Sequence, residues 1–240
     1  MPYTSEGGVS GGESEGALCM LEGAWTQERA NVLQKGVDDI FQRRADSSDL
    51  GRLKFSFTIA DPGIEGCPLI GCSAGFVELC GYSFDEIVGR NCKFLVDPVP
   101  PELVDSGARR LAREFCAAVA EGRDYRVPSA DRRPWMPEGK PHEDGIFLVQ
   151  TNARKDGSLF RNMFYLKPMG IEERNYIVGL QTSLDEGDAE VMAAAHGACE
   201  TLDKNMIELE KLLAGKFWIY TSMRRQVNAC DESSYGLEAQ

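Results

Sequence analysis

Hydrophobic residues change their spacing along the chain, and the change near residue 55 marks the start of a predicted sheet. Phe55, Phe57 and Ile59 alternate with small or polar residues, which is the period of a β-strand. Asp61-Pro62-Gly63 then has the composition of a tight turn. By the same criteria we predict further strands at 69–72, 146–151, 159–166 and 175–183, with hairpin turns at 155–157 and 170–174.

Between the second and third of these strands, the sequence pattern predicts helices. Short helices are predicted at 74–80 and at 83–88, where Ser83 and Glu86 have the spacing of a capping box. Strands and short helices in this order predict an α+β fold with one sheet and the helices on one of its faces. A longer helix is predicted at 103–119, with an apolar stripe of Leu103, Leu111, Phe115 and Val119.

Two further helices are predicted outside this sheet domain. The first carries a helical repeat of Trp25, Val32, Leu33, Val37, Ile40 and Phe41. The second carries an apolar seam, with a spacing close to an eleven-residue repeat, of Val191, Ala195, Ala198, Leu202, Met206, Leu209 and Leu213. Such a seam has to dock on the sheet domain, on the first helix or on a second copy of the chain.

These patterns divide the chain into four segments. Residues 1–17, rich in Gly, Ser and Glu, predict a disordered leader because they bury too little apolar area to offset the entropy of ordering. An N-terminal flanking helix (18–50), the main domain (51–185) and a C-terminal helical extension (186–240) follow. Within the main domain, residues 122–145 combine prolines and glycines without a period and predict a long loop that is functional or mobile.

The formal net charge of −12 narrows the classes of partner. Nucleic acids and anionic membranes require a concentrated basic surface, so direct binding to either is not expected. No signal peptide or apolar run of membrane-spanning length is seen, and we expect a soluble intracellular protein, cytoplasmic or nuclear, with reduced thiols. The 8 cysteines include no CxxC pair, and His142 and His196 lack ligand neighbours, so a zinc site is not expected.

Candidate chemistry is concentrated in the run Gly-Arg-Asn-Cys-Lys-Phe-Leu at 89–95. Its two cationic residues carry permanent charge, and the amide of Asn91 both donates and accepts hydrogen bonds. The phenylalanine and leucine that end the run supply apolar walls. This combination suits a pocket that holds a planar, partly anionic ligand against the thiol of Cys92.

The run and the order of the elements resemble the light-oxygen-voltage (LOV) branch of the PAS superfamily, a family of flavin-binding blue-light sensors with the signature G-R-N-C-R-F-L-Q. The resemblance covers about residues 55–184 and includes four more segments in the family's order, at 81–87, 152–157, 162–169 and 178–181. It implies a PAS-like five-stranded antiparallel sheet with short helices on one face, plus flanking helices at both ends.

By this resemblance, the Cys92 sulfur forms a reversible adduct with carbon 4a of the flavin under blue light, and Gln181 lies beside flavin N5 and relays the signal. Asn152 and Asn162 pair with the polar edge of the ring, and Asn91 contacts the ribityl chain or the ring. Lys93 replaces an arginine that pairs with the cofactor phosphate, and a second such cation is Arg110 or Arg113. The residues implied to bind flavin are Thr58, Asn91, Lys93, Leu95, Arg110, Arg113, Asn152, Asn162, Phe164 and Gln181.

Two departures from the family pattern concern the cofactor. Val96 stands where the family usually has a glutamine that bonds the cofactor tail, which removes one contact worth about 1 kcal/mol. The loop 122–145 is longer than the family norm and either folds over the phosphate end or leaves room for an adenosine. FMN is the cofactor that the resemblance implies, with FAD and riboflavin left open.

The implied function is that of a blue-light photoreceptor rather than an enzyme. A thiol with a pKa of about 8.5 is mostly protonated at neutral pH, so it needs an excited flavin as its partner. The expected partners are the flavin, a second copy of the chain through the flanking helices, and an unidentified effector. The cysteines interpreted as packing or surface residues are Cys67, Cys72, Cys80, Cys116, Cys199 and Cys230.

Two other functions were weighed against this one. A light-insensitive PAS-type module for ligand binding or interaction is the alternative. A thiol or flavin redox enzyme ranks last, because the sequence has neither a resolving CxxC cysteine nor a G-x-G-x-x-G motif after a strand.

Overall fold

An antiparallel β-sheet forms the centre of the protein in a computed structural model, which describes residues 28, 30–36, 56–136, 144–171, 174–184, 191–215 and 219–220. Its main strands are β1 (Ser56–Ala60), β2 (Leu69–Cys72), β3 (Ile146–Ala153), β4 (Leu159–Ile171) and β5 (Arg174–Leu184). They pair in the order β2-β1-β5-β4-β3, and every pair is antiparallel. The predicted α+β class and five-stranded sheet are confirmed.

The sheet extends further than the sequence pattern indicates. β4 continues to Ile171 instead of ending at residue 166, so the predicted turn at 170–174 is largely strand. Pro168 interrupts the strand pattern, but it lies beyond the last residue of β4 that pairs with β3, where a residue without an N–H is tolerated. A short β6 (Ile219–Tyr220) also pairs with β4, so the extension 186–240 is not helical throughout.

Helices lie on both faces of this sheet. The inner face, defined here as the face turned toward Cys92, is covered by α2 (Ala74–Cys80), α3 (Phe84–Ile87) and α4 (Ser106–Ala120). The outer face is covered by α1 (residues 30–36) and α5 (Val191–Ala214). Short 3-10 turns are formed by Cys92–Leu95, Pro101–Leu103 and Ser129–Asp131.

The start of α4 corrects the prediction of a helix at 103–119. Asp105 is the N-cap, and its carboxylate accepts a hydrogen bond of 2.9 Å from the backbone N–H of Ala108. Leu103 belongs to the preceding 3-10 turn and is 47% exposed, so it does not join the stripe. Because the apolar Leu103 precedes the cap residue Asp105, the predicted helix began about one turn too early. The buried residues of α4 are Ala108, Leu111, Phe115, Ala118 and Val119.

Alternation along the strands produces two separate apolar clusters. In β1, Phe57 and Ile59 belong to the outer cluster and Ala60 to the inner one. In β5, Val178 and Leu180 are likewise outer, whereas Ile177 is inner. The sheet therefore separates the outer layer, where the flanking helices dock, from the inner layer that contains Cys92.

The seam of α5 docks on the outer face of the chain's own sheet. Ala195, Leu202, Met206, Leu209 and Leu213 are all buried there, together with Cys199. Lys167 of β4 forms an ion pair with Glu210 of α5, with 2.6 Å between its Nζ atom and a carboxylate oxygen. Of the three docking surfaces considered for this seam, the structure shows the sheet domain.

The N-terminal helix docks on the same face with a different set of residues from the predicted stripe. Ala30 and Leu33 of α1 are buried in the outer cluster, and the side chain of Gln34 accepts a 3.2 Å hydrogen bond from the N–H of Cys72. Val32 is 54% exposed, so its assignment to the stripe was wrong. The other predicted stripe residues, Trp25, Val37, Ile40 and Phe41, lie outside the described residues.

Ser83 and Glu86 form the predicted capping box at the start of α3. The carboxylate of Glu86 accepts hydrogen bonds from the N–H of Ser83 at 2.9 Å and from its hydroxyl at 3.0 Å, and Lys155 pairs with the same carboxylate at 2.7 Å. We expect Ser83→Ala to lower the free energy of unfolding by about 1 kcal/mol. Urea unfolding measures this loss, with Ser129→Ala as the control at an exposed serine, and an unchanged midpoint in Ser83→Ala would contradict it.

Candidate functional site

Cys92 opens the 3-10 turn that follows α3, as the sequence predicted. Asn91 caps this turn by accepting a 2.9 Å hydrogen bond from the N–H of Lys93. The other end of the Asn91 amide donates to the carbonyls of Gly66 and Cys67 in the β1–β2 loop. Asn91 thus fixes the position of Cys92 relative to that loop, while Cys92 packs against the inner cluster.

The surroundings of Cys92 keep its thiol protonated. Burial by the surrounding protein raises the pKa of Cys92 to about 12, and nearby Cys116 and Cys80 add to the effect. The side chain retains partial exposure at the inner side of the turn. At neutral pH Cys92 is therefore a neutral thiol, and its nucleophilicity toward a ground-state electrophile is low.

Four buried polar side chains stand in the inner layer of the sheet. Thr58, Asn152, Asn162 and Gln181 are exposed by 4%, 4%, 3% and 5%, respectively. They come from β1, β3, β4 and β5, at strand positions that alternate with outer-layer residues. Polar groups are costly in an apolar layer unless they are hydrogen-bonded, so their grouping indicates a ligand site.

The two asparagines form a pair with one open acceptor. In the amide orientation that satisfies its neighbours, the Asn162 oxygen accepts from Asn152 Nδ2 at 3.0 Å, and its nitrogen donates to the carbonyl of Thr182 at 3.2 Å. The Oδ1 atom of Asn152 is buried and has no hydrogen-bond partner among the described residues. Leaving such an acceptor unpaired costs about 1–3 kcal/mol, so the site suits a ligand that presents an N–H group.

Gln181 is bracketed by two hydroxyl groups of β1. The hydroxyl of Ser56 donates to Gln181 Oε1 at 3.1 Å, and Gln181 Nε2 donates to the hydroxyl of Thr58 at 3.0 Å. Gly179 leaves room for this arrangement, because a Cβ atom there would lie 3.0 Å from both Gln181 Nε2 and Thr58 Oγ1. The amide is thus held at both ends inside the protein.

An open cavity of about 490 Å³ connects this bracket with the C-terminal helix. Ser56 and Gln181 line it on the sheet side. Thr201 and Asn205 line it from α5, and Glu78 lines it from α2. Gln181 and α5 thus line the same cavity from opposite sides.

Proteins named as blue-light receptors share much of this sequence. Blue-light-activated histidine kinase 1 of Erythrobacter litoralis is 43% identical over 140 residues, which cover 57% of this chain and 31% of the kinase. Phototropin-2 of Oryza sativa subsp. japonica is 31% identical over 163 residues, which cover 67% of this chain and 14% of phototropin-2.

The chain belongs to the LOV branch of the PAS superfamily.

The match covers only a part of these longer proteins. The LOV domain of the Erythrobacter litoralis EL346 blue-light-activated histidine kinase is 30% identical, with 56% of this chain and 100% of that domain covered and a TM-score of 0.40. The chain spans less than a third of each of the two receptors named above. No family model matches the chain.

The cationic residues predicted to meet a cofactor phosphate differ in their exposure and in their ion pairs. Arg110 pairs with Glu114 at 3.0 Å and with Asp131 of the long loop at 2.7 Å. Arg113 and Lys93 are exposed. Of the two arginines named from the sequence, Arg113 is thus better suited to meet a phosphate, because the guanidinium of Arg110 is occupied by two carboxylates.

The apolar members of the predicted set lie in the same inner layer. Leu95 is fully buried in the inner cluster, and Phe164 packs against that cluster from β4. Arg90 supports the turn that carries Cys92, because its guanidinium lies 4.2 Å from the ring centroid of Phe94. The structure therefore places Cys92, Leu95 and Phe164 in the inner layer with the buried polar side chains, and contacts of any of them with a flavin stay predictions.

Sequence reasoning missed two residues that shape this site. Ser56 was treated as an ordinary strand residue, although its position two residues before Thr58 places both on one face. Gln150 holds the start of α4 against β3, because its side chain accepts from Asp105 N at 2.8 Å and donates to Asp105 O at 3.0 Å. Cys67 and Cys116 are partly exposed and pack against the inner cluster, as predicted for packing or surface residues.

Metal sites and membrane-spanning helices are two further features on which the structure gives information. Within the described ranges, no group of three or more His, Cys, Asp or Glu side chains is arranged to hold a metal ion. In the same ranges, no helix combines the length and apolar character that crossing a bilayer requires. His142 lies outside the described residues.

The raised pKa of Cys92 predicts a distinctive pH profile for alkylation. Only about 1% of Cys92 is thiolate at pH 10 when its pKa is about 12, so its rate should still rise about tenfold per pH unit there. The pKa of Cys116 is lowered by its neighbour Cys67, so its rate should level off at a lower pH than that of Cys92. Iodoacetamide labelling followed by peptide mass spectrometry measures both, and a Cys92 profile that levels off near pH 9 would contradict the assignment.

Proposed function

We propose that this LOV domain is a blue-light sensor that binds a flavin, FMN being the expected species, and holds the Cys92 thiol against its ring. The observation that carries the proposal is the inner layer itself. There a protonated thiol packs against the inner apolar cluster, on the face of the sheet to which four strands turn buried polar side chains. Its role as a sensory module, not an enzyme, is part of the proposal.

Particular residues fit the parts of a flavin. The open acceptor on Asn152 suits a ring N–H, and the paired amide of Asn162 lies beside it. Phe164 and Leu95 supply apolar contact for the ring. Lys93 and Arg113 are the exposed cations that can meet the cofactor phosphate.

When bound, the flavin supplies blue-light absorption and a ring carbon to which the Cys92 sulfur bonds reversibly. Cys92 contributes a neutral thiol whose proton stays on the sulfur in the dark, because its pKa is raised by burial. This limits the reaction with a ground-state ring. The protein otherwise contributes position, since Asn91 fixes the turn that carries the thiol.

The bracket around Gln181 supports a reversible amide switch. Each hydroxyl of the bracket can donate or accept, so Ser56 and Thr58 can satisfy the amide in its present orientation and in the reversed one. Reversing the amide exchanges a donor for an acceptor toward the pocket. Rearranging one or two hydrogen bonds is worth about 1–3 kcal/mol, whereas a swing from 1:99 to 99:1 takes about 5.5 kcal/mol, so this switch alone is partial.

The output is proposed to pass to the flanking helices. Gln181 and α5 line one cavity, and α1 bonds to β2 through Gln34 and Cys72. Both helices cover the outer face, so a shift of either exposes apolar sheet surface that a second copy or an effector can bind. Whole receptors of the histidine kinase type carry their activity outside the matched region, and this chain is proposed to act as the sensor.

One absorbance experiment tests the proposal. Purified protein reconstituted with FMN should bind it, lose its visible flavin absorption under blue light and regain it in darkness. A protein that binds FMN with an unchanged spectrum under illumination would be the light-insensitive PAS-type module instead. Failure to bind FMN, FAD or riboflavin would overturn the proposal altogether.

A further inference from the structure

One ion pair lies inside the apolar layer between the sheet and α5. Lys167 is on β4, and its Nζ atom lies 2.6 Å from Oε1 of Glu210 on α5. The two side chains are only 12% and 17% exposed, and the Oε1 atom is itself buried. The outer-cluster residues nearest to the pair along β4 and α5 are Tyr165, Met169, Leu209 and Leu213. Two opposite charges thus meet within an apolar interface.

Burial changes what this ion pair contributes. An exposed pair such as Lys155 with Glu86, whose side chains are 51% and 39% exposed, interacts weakly because water screens both charges. A buried pair has to offset the loss of hydration, and an apolar pair of similar volume often stabilises an interface as well or better. Removing one partner alone is costly, since the other charge stays buried without a counter-charge. We therefore expect this pair to contribute specificity more than stability.

The apolar seam of α5 does not by itself fix the position of the helix along the sheet. A slide by about one helical turn replaces buried seam residues with apolar residues four positions further on, with Cys199, Met206 and Leu213 in the places of Ala195, Leu202 and Leu209. Hydrophobic contacts are non-directional, so they distinguish these registers poorly. The same slide brings Ala214 opposite Lys167 and moves Glu210 to the place of Met206, away from its counter-charge.

We propose that Lys167 and Glu210 are positioning residues that select one register of α5 on the sheet and keep the helix less tightly docked than an all-apolar interface would. A single polar pair inside an apolar seam specifies register at a cost in stability. This cost makes α5 easier to displace by the small free energy that a rearranged amide supplies. The displacement by light rests on the proposed function, whereas the docking in the dark does not.

Amide hydrogen exchange of residues 195–213 in the full chain, in the dark and without flavin, tests the pair. Lys167→Met and Glu210→Leu should each speed exchange at least about tenfold, because one buried charge loses its partner. The reversed pair, Lys167→Glu with Glu210→Lys, should return exchange to within about threefold of the wild type. Lys204→Met and Glu200→Leu change exposed residues of the same helix and are the matched controls.

Two outcomes of this experiment overturn the proposal. One is a single variant at Lys167 or Glu210 that protects α5 as well as the exposed controls do. The other is a reversed pair that protects α5 no better than the single variants. Lys167→Gln replaces Lys167→Met if the methionine variant does not fold, since it also removes the charge.

The choice of register is tested with the apolar double variant, Lys167→Met with Glu210→Leu. Its α5 should exchange no faster than in the wild type, because apolar side chains replace a desolvated pair. In a nitrogen–proton correlation NMR spectrum, residues 195–213 should give more than one set of resonances in this variant and one set in the wild type and the reversed pair. One set in the double variant, or faster exchange than in the wild type, overturns the proposed selection of register.

The effect on the output is tested after reconstitution with FMN. The apolar double variant should bleach under blue light like the wild type, while its light-minus-dark exchange difference in α5 should fall at least about fivefold, because the helix is docked more tightly. A difference equal to that of the wild type overturns the role of the pair in the output. Should the wild type not bleach, the proposed function fails, while the dark measurements still decide whether the pair positions α5.

Discussion

Replacing Cys92 with alanine should leave FMN bound and abolish the loss of its visible absorption under blue light. The residues expected to hold the ring, Asn152, Asn162 and Phe164, come from β3 and β4 and do not depend on the thiol. The variant removes one partly exposed sulfur, so we expect the free energy of unfolding to change by only about 0.5 kcal/mol. The light-induced amplitude should fall to zero, since alanine offers no atom for the bond.

Absorbance spectra before and after illumination measure this effect, and the neighbouring cysteines provide the matched control. Cys80→Ala removes a thiol from the same inner cluster, and it should bleach like the wild type. Bleaching that persists in Cys92→Ala would assign the bond to another thiol of the inner cluster, such as Cys116. Loss of bleaching in Cys80→Ala together with retained flavin would argue that the whole cluster, and not one sulfur, is required.

Replacing Gln181 with leucine should separate the photochemistry from its output. Leucine occupies a similar volume but neither donates nor accepts, so the hydroxyls of Ser56 and Thr58 lose the amide they bracket. We expect bleaching to be retained and the light-induced change in α5 to fall at least about fivefold, because the coupling available from one or two hydrogen bonds is only about 1–3 kcal/mol. The light-minus-dark difference in amide hydrogen exchange of residues 195–213 measures that output.

Two further variants test whether the hydrogen bonds between Gln181 and the hydroxyls of β1 are needed for the light-induced change in α5. Thr58→Val keeps the shape of the side chain and removes the hydroxyl that accepts from Gln181 Nε2, so it should weaken the exchange difference without abolishing it. Thr151→Val makes the same change on β3, away from Gln181, and should leave the difference unchanged. An undiminished response in Gln181→Leu would remove this amide from the route to α5.

Local elements of the fold were predictable where neighbouring residues decide them. The strand at β1, the helix α2 and the capping box of Ser83 and Glu86 follow from period and cap chemistry within a few residues. Prediction went wrong at the start of α4 and the end of β4. At the first, Leu103 continued an apolar pattern although Asp105 caps the helix, and at the second, strand pairing carried the chain past Pro168.

In the site too, residues that belong to short sequence motifs were predictable, and residues that depend on a distant partner were not. Cys92 was found because its flanking residues form a recognisable run, and Asn152, Asn162 and Gln181 because they match spaced segments of a family pattern. The importance of Ser56 could not be predicted, since it depends on a partner distant in sequence. Ser56 bonds to Gln181 across 125 residues, and only the pairing of β1 with β5 brings them together.

The sequence by itself determined the family, the order of the strands and helices, and the thiol on which the proposed chemistry depends. These depend on side-chain type and spacing over short stretches, where period, caps and turns act. Folding in three dimensions was needed to show that α5 docks on the chain's own sheet and that two hydroxyls bracket Gln181. These contacts join residues distant in sequence, and they form because folding buries both partners on the same face of the sheet.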